Sequence, residues 1–151
     1  MNTKDSRPVG AVVIFFVAAL LRLSFFFMFT FYYSNPTHFE SDANAHYLTS
    51  INLEVPKEQQ EKIGYKNWYE RTPVAVFFFH VIRQNIFILI FISSLTVVLL
   101  WKINHLAGWL WCFYPQAIIL SYQFNKETLL WFVLAGLIYI AHWYSFRSSS
   151  R

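Results

Sequence analysis

Asp42 is the residue with the most chemical promise in the chain. It stands in the segment Phe39-Glu40-Ser41-Asp42-Ala43-Asn44-Ala45-His46-Tyr47-Leu48, about nine residues after a long apolar run. Two readings compete for it. Ser41-Asp42 before a short helical pattern is an N-cap, worth ~1 kcal/mol. A carboxylate at a water–lipid boundary is also a general base, able to take a proton from a hydroxyl while a lipid-borne reactant approaches from the bilayer. Glu40 stands two residues earlier, and Glu-x-Asp suits a cation, although two carboxylates alone are a weak metal signal. Arg22 is the second notable residue, because it falls near the middle of an apolar stretch. A guanidinium there is costly in lipid and is expected to face other helices or a wet cavity. His80 and Arg83 lie one helical turn apart and share a face, so they are candidates for the same cavity. His105 and His142 fall near the ends of apolar runs, and no two histidines share metal-ligand spacing with a carboxylate. Cys112, the single cysteine, sits in an apolar stretch and reads as a buried, inert thiol.

The elements that position these residues follow from the apolar runs. Val9–Tyr33 is 25 residues long, which exceeds the ~20 needed to cross hydrocarbon. A signal peptide would have a shorter core and a small-residue cleavage site, and Phe25-Phe26-Phe27-Met28-Phe29 offers neither, so a retained first span is expected. Residues 34–72 form a polar loop with six acids and four bases, punctuated by Pro36 and Pro56. Two short amphipathic helices are expected in it, followed by an interfacial cluster of Tyr65, Trp68 and Tyr69. Pro73 to Lys102 is a second apolar stretch, interrupted at Arg83-Gln84-Asn85. One long tilted or kinked helix is the expectation there, with a re-entrant hairpin as the alternative. A third span is expected over 106–124, kinked at Pro115. Asn125-Lys126-Glu127 reads as a polar turn before a fourth span over 128–146. The expected fold is therefore all-α, a single membrane domain of about four transmembrane helices.

Composition supports that class. Charged residues are 13% of the chain, about half the ~25% of soluble domains, while hydrophobic residues reach 56%. The apolar surplus has to face lipid. The net charge of +4 comes from scattered residues with no basic stripe, so nucleic acid is not an expected partner. Lys4, Arg7, Lys102, Arg147 and Arg151 fall on one side of the expected layout. The net-acidic loop 34–72 and Lys126/Glu127 fall on the other. The positive-inside rule then places both termini in the cytoplasm, in a bacterial inner membrane or an ER-type membrane.

Four pieces of sequence occur in an order that resembles a known family. They are Leu20-Leu21-Arg22-Leu23 within the first span, Asp42-Ala43 to Tyr47 in the loop, Tyr69-Glu70-Arg71-Thr72-Pro73 before the second apolar stretch, and Phe113-Tyr114-Pro115 followed by Ser121-Tyr122-Gln123-Phe124-Asn125-Lys126-Glu127-Thr128-Leu129-Leu130. Together they resemble the amino-terminal part of the GT-C superfamily of integral membrane glycosyltransferases, which includes protein mannosyltransferases and aminoarabinose transferases.

The resemblance implies transfer of a sugar from a polyprenyl-phosphate donor to an acceptor on the outer or lumenal face, with inversion at the sugar carbon. Asp42 matches the family's loop aspartate, the general base. Arg71 lies near where a cation would meet the donor phosphate, and Lys126 is placed to reach the same surface. Tyr47, Glu127 and Arg22 take supporting roles in substrate binding. No cofactor or metal is implied. Family members have about eight or more spans, so four imply an incomplete module or a split enzyme whose missing helices come from a second membrane chain. The alternatives are a non-catalytic accessory subunit of a glycan-assembly enzyme, and a small transporter or flippase with Arg22, His80 and Arg83 lining its path.

Overall fold

The computed structural model describes residues 6–32, 73–82, 85–123 and 126–148. Among the described residues all regular structure is helical: α1 (Ser6–Tyr32), α2 (Pro73–Val81), α3 (Ile86–Ile103), α4 (His105–Phe113), α5 (Pro115–Leu120) and α6 (Lys126–Ser148). Three helices are long and apolar enough to cross a membrane. They correspond to Val9–Tyr32, Ile86–Ile103 and Lys126–Arg147. The 27 residues of α1 extend about 40 Å, longer than a ~30 Å hydrocarbon core. The 18 residues of α3 extend about 27 Å and just fill it.

The second apolar stretch is not one helix. It divides between α2 and α3, and Asn85 explains where. Its backbone is extended, and its side-chain Oδ1 accepts from the Phe87 N–H at 3.0 Å. That is an N-cap, so a new helix starts at Ile86. Phe79 of α2 and Leu89 of α3 are buried together, with Leu129 packed against them. In a continuous helix those ten residues would separate Phe79 from Leu89 by about 15 Å. The stretch therefore bends between α2 and α3 instead of running on as one straight helix.

Asn104 alone joins α3 to α4. Its backbone N–H donates to the Leu100 carbonyl at 2.8 Å and closes α3. Its side-chain Oδ1 accepts from Leu106 at 2.9 Å and from Ala107 at 3.3 Å and opens α4. One residue thus satisfies orphan groups at both helix ends. Gly108 of α4 packs against the backbone of Trp101. Further along, Cys112 shares a core cluster with Val97, and Ile118 shares one with Ile90. These pairings run α4 and α5 antiparallel to α3. Over the expected third span, 106–124, the helix breaks at Pro115, the position of the expected kink, into a nine-residue and a six-residue helix. From Ser121 the chain leaves the helix in a turn, because Tyr122 and Gln123 hydrogen-bond three residues back. The expected fourth span starts earlier than residue 128, since Lys126 and Glu127 form the first turn of α6. Glu127 there faces the positive end of the helix dipole.

α1 lies antiparallel to α3, with Gly10 against the Trp101 ring and Phe26 against Phe87. α6 lies on another flank of α3 and parallel to it, with Leu129 near Leu89 and Tyr139 beneath Lys102. The starts of α1 and α4 and the ends of α3 and α6 consequently gather at one end of the bundle. The end of α1, the starts of α3 and α6, and the end of α5 gather at the other.

Candidate functional site

Arg22 is completely buried at mid-length of α1. Three helices enclose it. Its Nε donates to Ser93 Oγ of α3 at 2.8 Å. Its Nη1 donates to the Ala18 carbonyl one turn earlier, at 3.1 Å. The buried thiol of Cys112 from α4 lies against the guanidinium. Nη2 has no hydrogen-bond partner. Among the described residues no carboxylate accompanies this charge: the only acidic side chain they include is Glu127, at the start of α6. Arg22 thus faces the bundle interior, as a central arginine must in lipid. A guanidinium has five N–H donors, and leaving buried ones unmade costs about 1–3 kcal/mol each. Ser93 is the partner that sequence reasoning missed. Its signal was Ser93-Ser94 inside an otherwise apolar run, and Ser94 bonds its own helix at the Ile90 carbonyl, 2.8 Å.

A second polar set lies where α5 meets α6. Thr128 Oγ1 donates to the Leu120 carbonyl at 2.8 Å, which ties the first turn of α6 to the end of α5. The stretch between them contains Tyr122, 1% exposed, and Gln123, 0% exposed. The Tyr122 hydroxyl, both polar atoms of Gln123, and Glu127 Oε2 are buried without a hydrogen-bond partner. Unsatisfied buried groups are rare enough in native proteins that each needs a reason. The Tyr122 ring packs on Phe26 and Phe29 of α1, with centroids 6.0 and 5.9 Å apart. Residues 22, 26 and 29 share one face of a helix. Arg22 therefore lies one turn of α1 deeper than the level at which Tyr122 packs. Tyr122 and Gln123 belong to the motif over 121–130, but nothing in their sequence distinguished them from lipid-facing neighbours.

The other sequence-derived candidates distribute as follows. Lys126 and Glu127 stand at the start of α6, at the bundle end where α1 finishes. Asp42, Tyr47 and Arg71 lie outside the described residues, as do Glu40, Arg83 and the two short helices expected in the loop. His80 is exposed on α2, whereas Arg22 is buried. His105 stacks on Trp101, with centroids 4.3 Å apart, at the opposite end from Lys126. Among the described residues no group of three or more His, Cys, Asp or Glu side chains gathers in a metal-binding arrangement. Comparison with protein-family models, curated proteins and solved structures finds no match for the chain.

Proposed function

We propose that this chain is a GT-C-like module that handles a polyprenyl-phosphate-linked sugar at the Lys126 end of its bundle. The observation that carries this reading is the set of buried polar atoms without a hydrogen-bond partner on Tyr122 and Gln123, with Glu127 Oε2 beside them in sequence, one turn of α1 above the buried Arg22. Such groups suit a polar ligand that enters from the bilayer and brings its own hydrogen-bonding partners. The loop bearing Asp42 leaves α1 at this same end.

In this reading the acceptor hydroxyl oxygen attacks the anomeric carbon and gives its proton to the Asp42 carboxylate. The bond from that carbon to the phosphate oxygen breaks. The departing polyprenyl phosphate keeps the electron pair, and Arg71 and Lys126 offset its charge. Tyr47 and Glu127 orient the acceptor. The Lys126 end faces the outer or lumenal side, and both termini face the cytoplasm. Lys102 and Arg147 at the opposite bundle end support that orientation.

The test is photo-crosslinking of membranes with a photoreactive polyprenyl-phosphate sugar. Labelling of the wild type within residues 33–72 or 121–128, and its loss in Gln123→Leu, is expected. A normally inserted wild-type protein that takes no label there would overturn the reading.

A second reading, a non-catalytic accessory subunit of a glycan-assembly enzyme, is favoured by α6. Over residues 126–147 of α6 only Thr128 and Ala135 are buried, which leaves most of that surface open to another chain or to lipid.

A further inference from the structure

Two neighbouring cavities lie along α3, a deep half between α4 and α6 and a mouth at the Lys102 end that Ala11 of α1 also lines. The deep half has a volume of about 460 Å³, within the roughly 300–1,000 Å³ of small-molecule sites. Leu100, Leu110, Trp111, Trp131 and Ile138 are among its walls. Its two polar side chains are already satisfied. Thr96 donates to the Ile92 carbonyl at 3.1 Å, and the Tyr114 hydroxyl donates to Gln116 Oε1 at 3.0 Å. The deep half therefore offers a ligand mainly apolar surface.

A wider cavity of about 980 Å³ forms the mouth at the Lys102 end; Ile138 of the first cavity and His142 of the second lie about one turn apart on one face of α6, as do Leu100 and Ile103 on α3. Lys102, His105 and His142 line this mouth together with Tyr139 and Trp143. Lys102 Nζ lies 5.9 Å from the Tyr139 ring centre, and the Arg147 guanidinium lies 5.1 Å from that of Trp143. Among the described residues no carboxylate lines it. Glu127, the only acidic side chain among the described residues, is fifteen residues before His142 on α6, about 22 Å away along the helix axis. Trp131 to His142 spans about 16 Å of the same helix. That is the distance from a headgroup level into the middle of one leaflet.

We propose that the two cavities together hold one anionic phospholipid. Its phosphate sits among Lys102, His105 and His142, and one acyl chain runs along the apolar half towards Trp131. The charge complementarity selects an anionic headgroup. The alignment of the cationic mouth with the apolar cavity along the same faces of α3 and α6 selects a lipid over a soluble phosphate. Tyr139 and Trp143 stand at the depth where aromatic side chains bracket headgroups. The site is at the opposite end of the bundle from Lys126 and does not depend on the proposed transferase reading.

Native mass spectrometry of the full chain, released from micelles with added lipid, tests this. Wild type is expected to retain phosphatidylglycerol about tenfold better than phosphatidylcholine of the same chains. Lys102→Gln is expected to lower that ratio about fivefold, the effect of one cation at an anionic surface. Phosphatidylglycerol with six-carbon chains is expected to bind more weakly than with sixteen. Inorganic phosphate is expected not to displace it. Equal retention of the two headgroups by wild type overturns the proposal. So does a Lys102→Gln variant with wild-type unfolding behaviour and an unchanged ratio, or displacement by inorganic phosphate alone.

Discussion

Replacing Gly108 by alanine tests the closest helix contact in the bundle. A Cβ added there meets the Trp101 side chain at its root, lies 2.6 Å from the Trp101 Cα and lies 2.8 Å from its backbone nitrogen. Carbon atoms in contact prefer about 3.5–4.0 Å, so α3 and α4 must part by about 1 Å. The atoms in the way belong mainly to backbone and cannot rotate aside. The single-residue link at Asn104 lies only four residues away, so the displacement cannot dissipate along a loop. Overpacking of this kind costs about 1–3 kcal/mol. The better helix propensity of alanine returns about 1 kcal/mol. Because the clash is with backbone, the cost belongs at the top of its range, and the net loss is about 2 kcal/mol. Gly136→Ala is the matched control. Nothing lies within 4 Å of an added Cβ at that position. The same chemical change there is expected to stabilise α6 by about 0.5–1 kcal/mol. Unfolding of the purified chain by sodium dodecyl sulfate from mild micelles, followed by tryptophan fluorescence, measures both. Opposite signs are expected. A Gly108→Ala variant at least as stable as wild type would refute the reasoning, because α3 and α4 would not then meet at Trp101.

Three other substitutions read other parts of the account in the same unfolding assay. Asn104→Ala removes the acceptor that opens α4 and is expected to cost about 1 kcal/mol, with Asn104→Asp recovering most of it; equal loss in both variants would point away from the cap. Tyr122→Phe deletes a buried hydroxyl that has no partner. It is expected to be neutral or to stabilise by up to about 1 kcal/mol, and a loss above that would mean the hydroxyl is bonded in the protein. Arg22→Met replaces an uncompensated buried charge by a side chain of similar length and is expected to be at least as stable as wild type. A steep loss would show that the Ser93 contact is structural in purpose.

Much of the architecture was legible because a membrane imposes a long apolar period that few other structures require. The first span and the helical class follow directly from it. The breaks were harder. Pro115 announced a kink, but whether the helix would resume for six residues or twenty depended on Ser121, Tyr122 and Gln123 turning into the bundle. That is a packing outcome, which local sequence does not encode. Arg83-Gln84-Asn85 marked an interruption, and the capping geometry of Asn85 decided its form. Arg22 was identifiable from its cost in lipid. Ser93, 71 residues away, was not, because the pairing is made by tertiary contact. The buried Tyr122 and Gln123 escaped notice for the same reason: their types are ordinary at a membrane boundary, and only their burial without partners makes them unusual.

The proposed transferase reading stands or falls on Asp42. The direct measurement is sugar transfer in membranes from a radiolabelled polyprenyl-phosphate sugar pool, with wild type and Asp42→Asn compared. The chain is assayed alone and together with the products of neighbouring genes. The account predicts transfer by wild type in at least one combination and its loss in Asp42→Asn, with insertion of the protein unchanged. Transfer that survives Asp42→Asn, or no transfer in any combination by a normally inserted wild type, would contradict it.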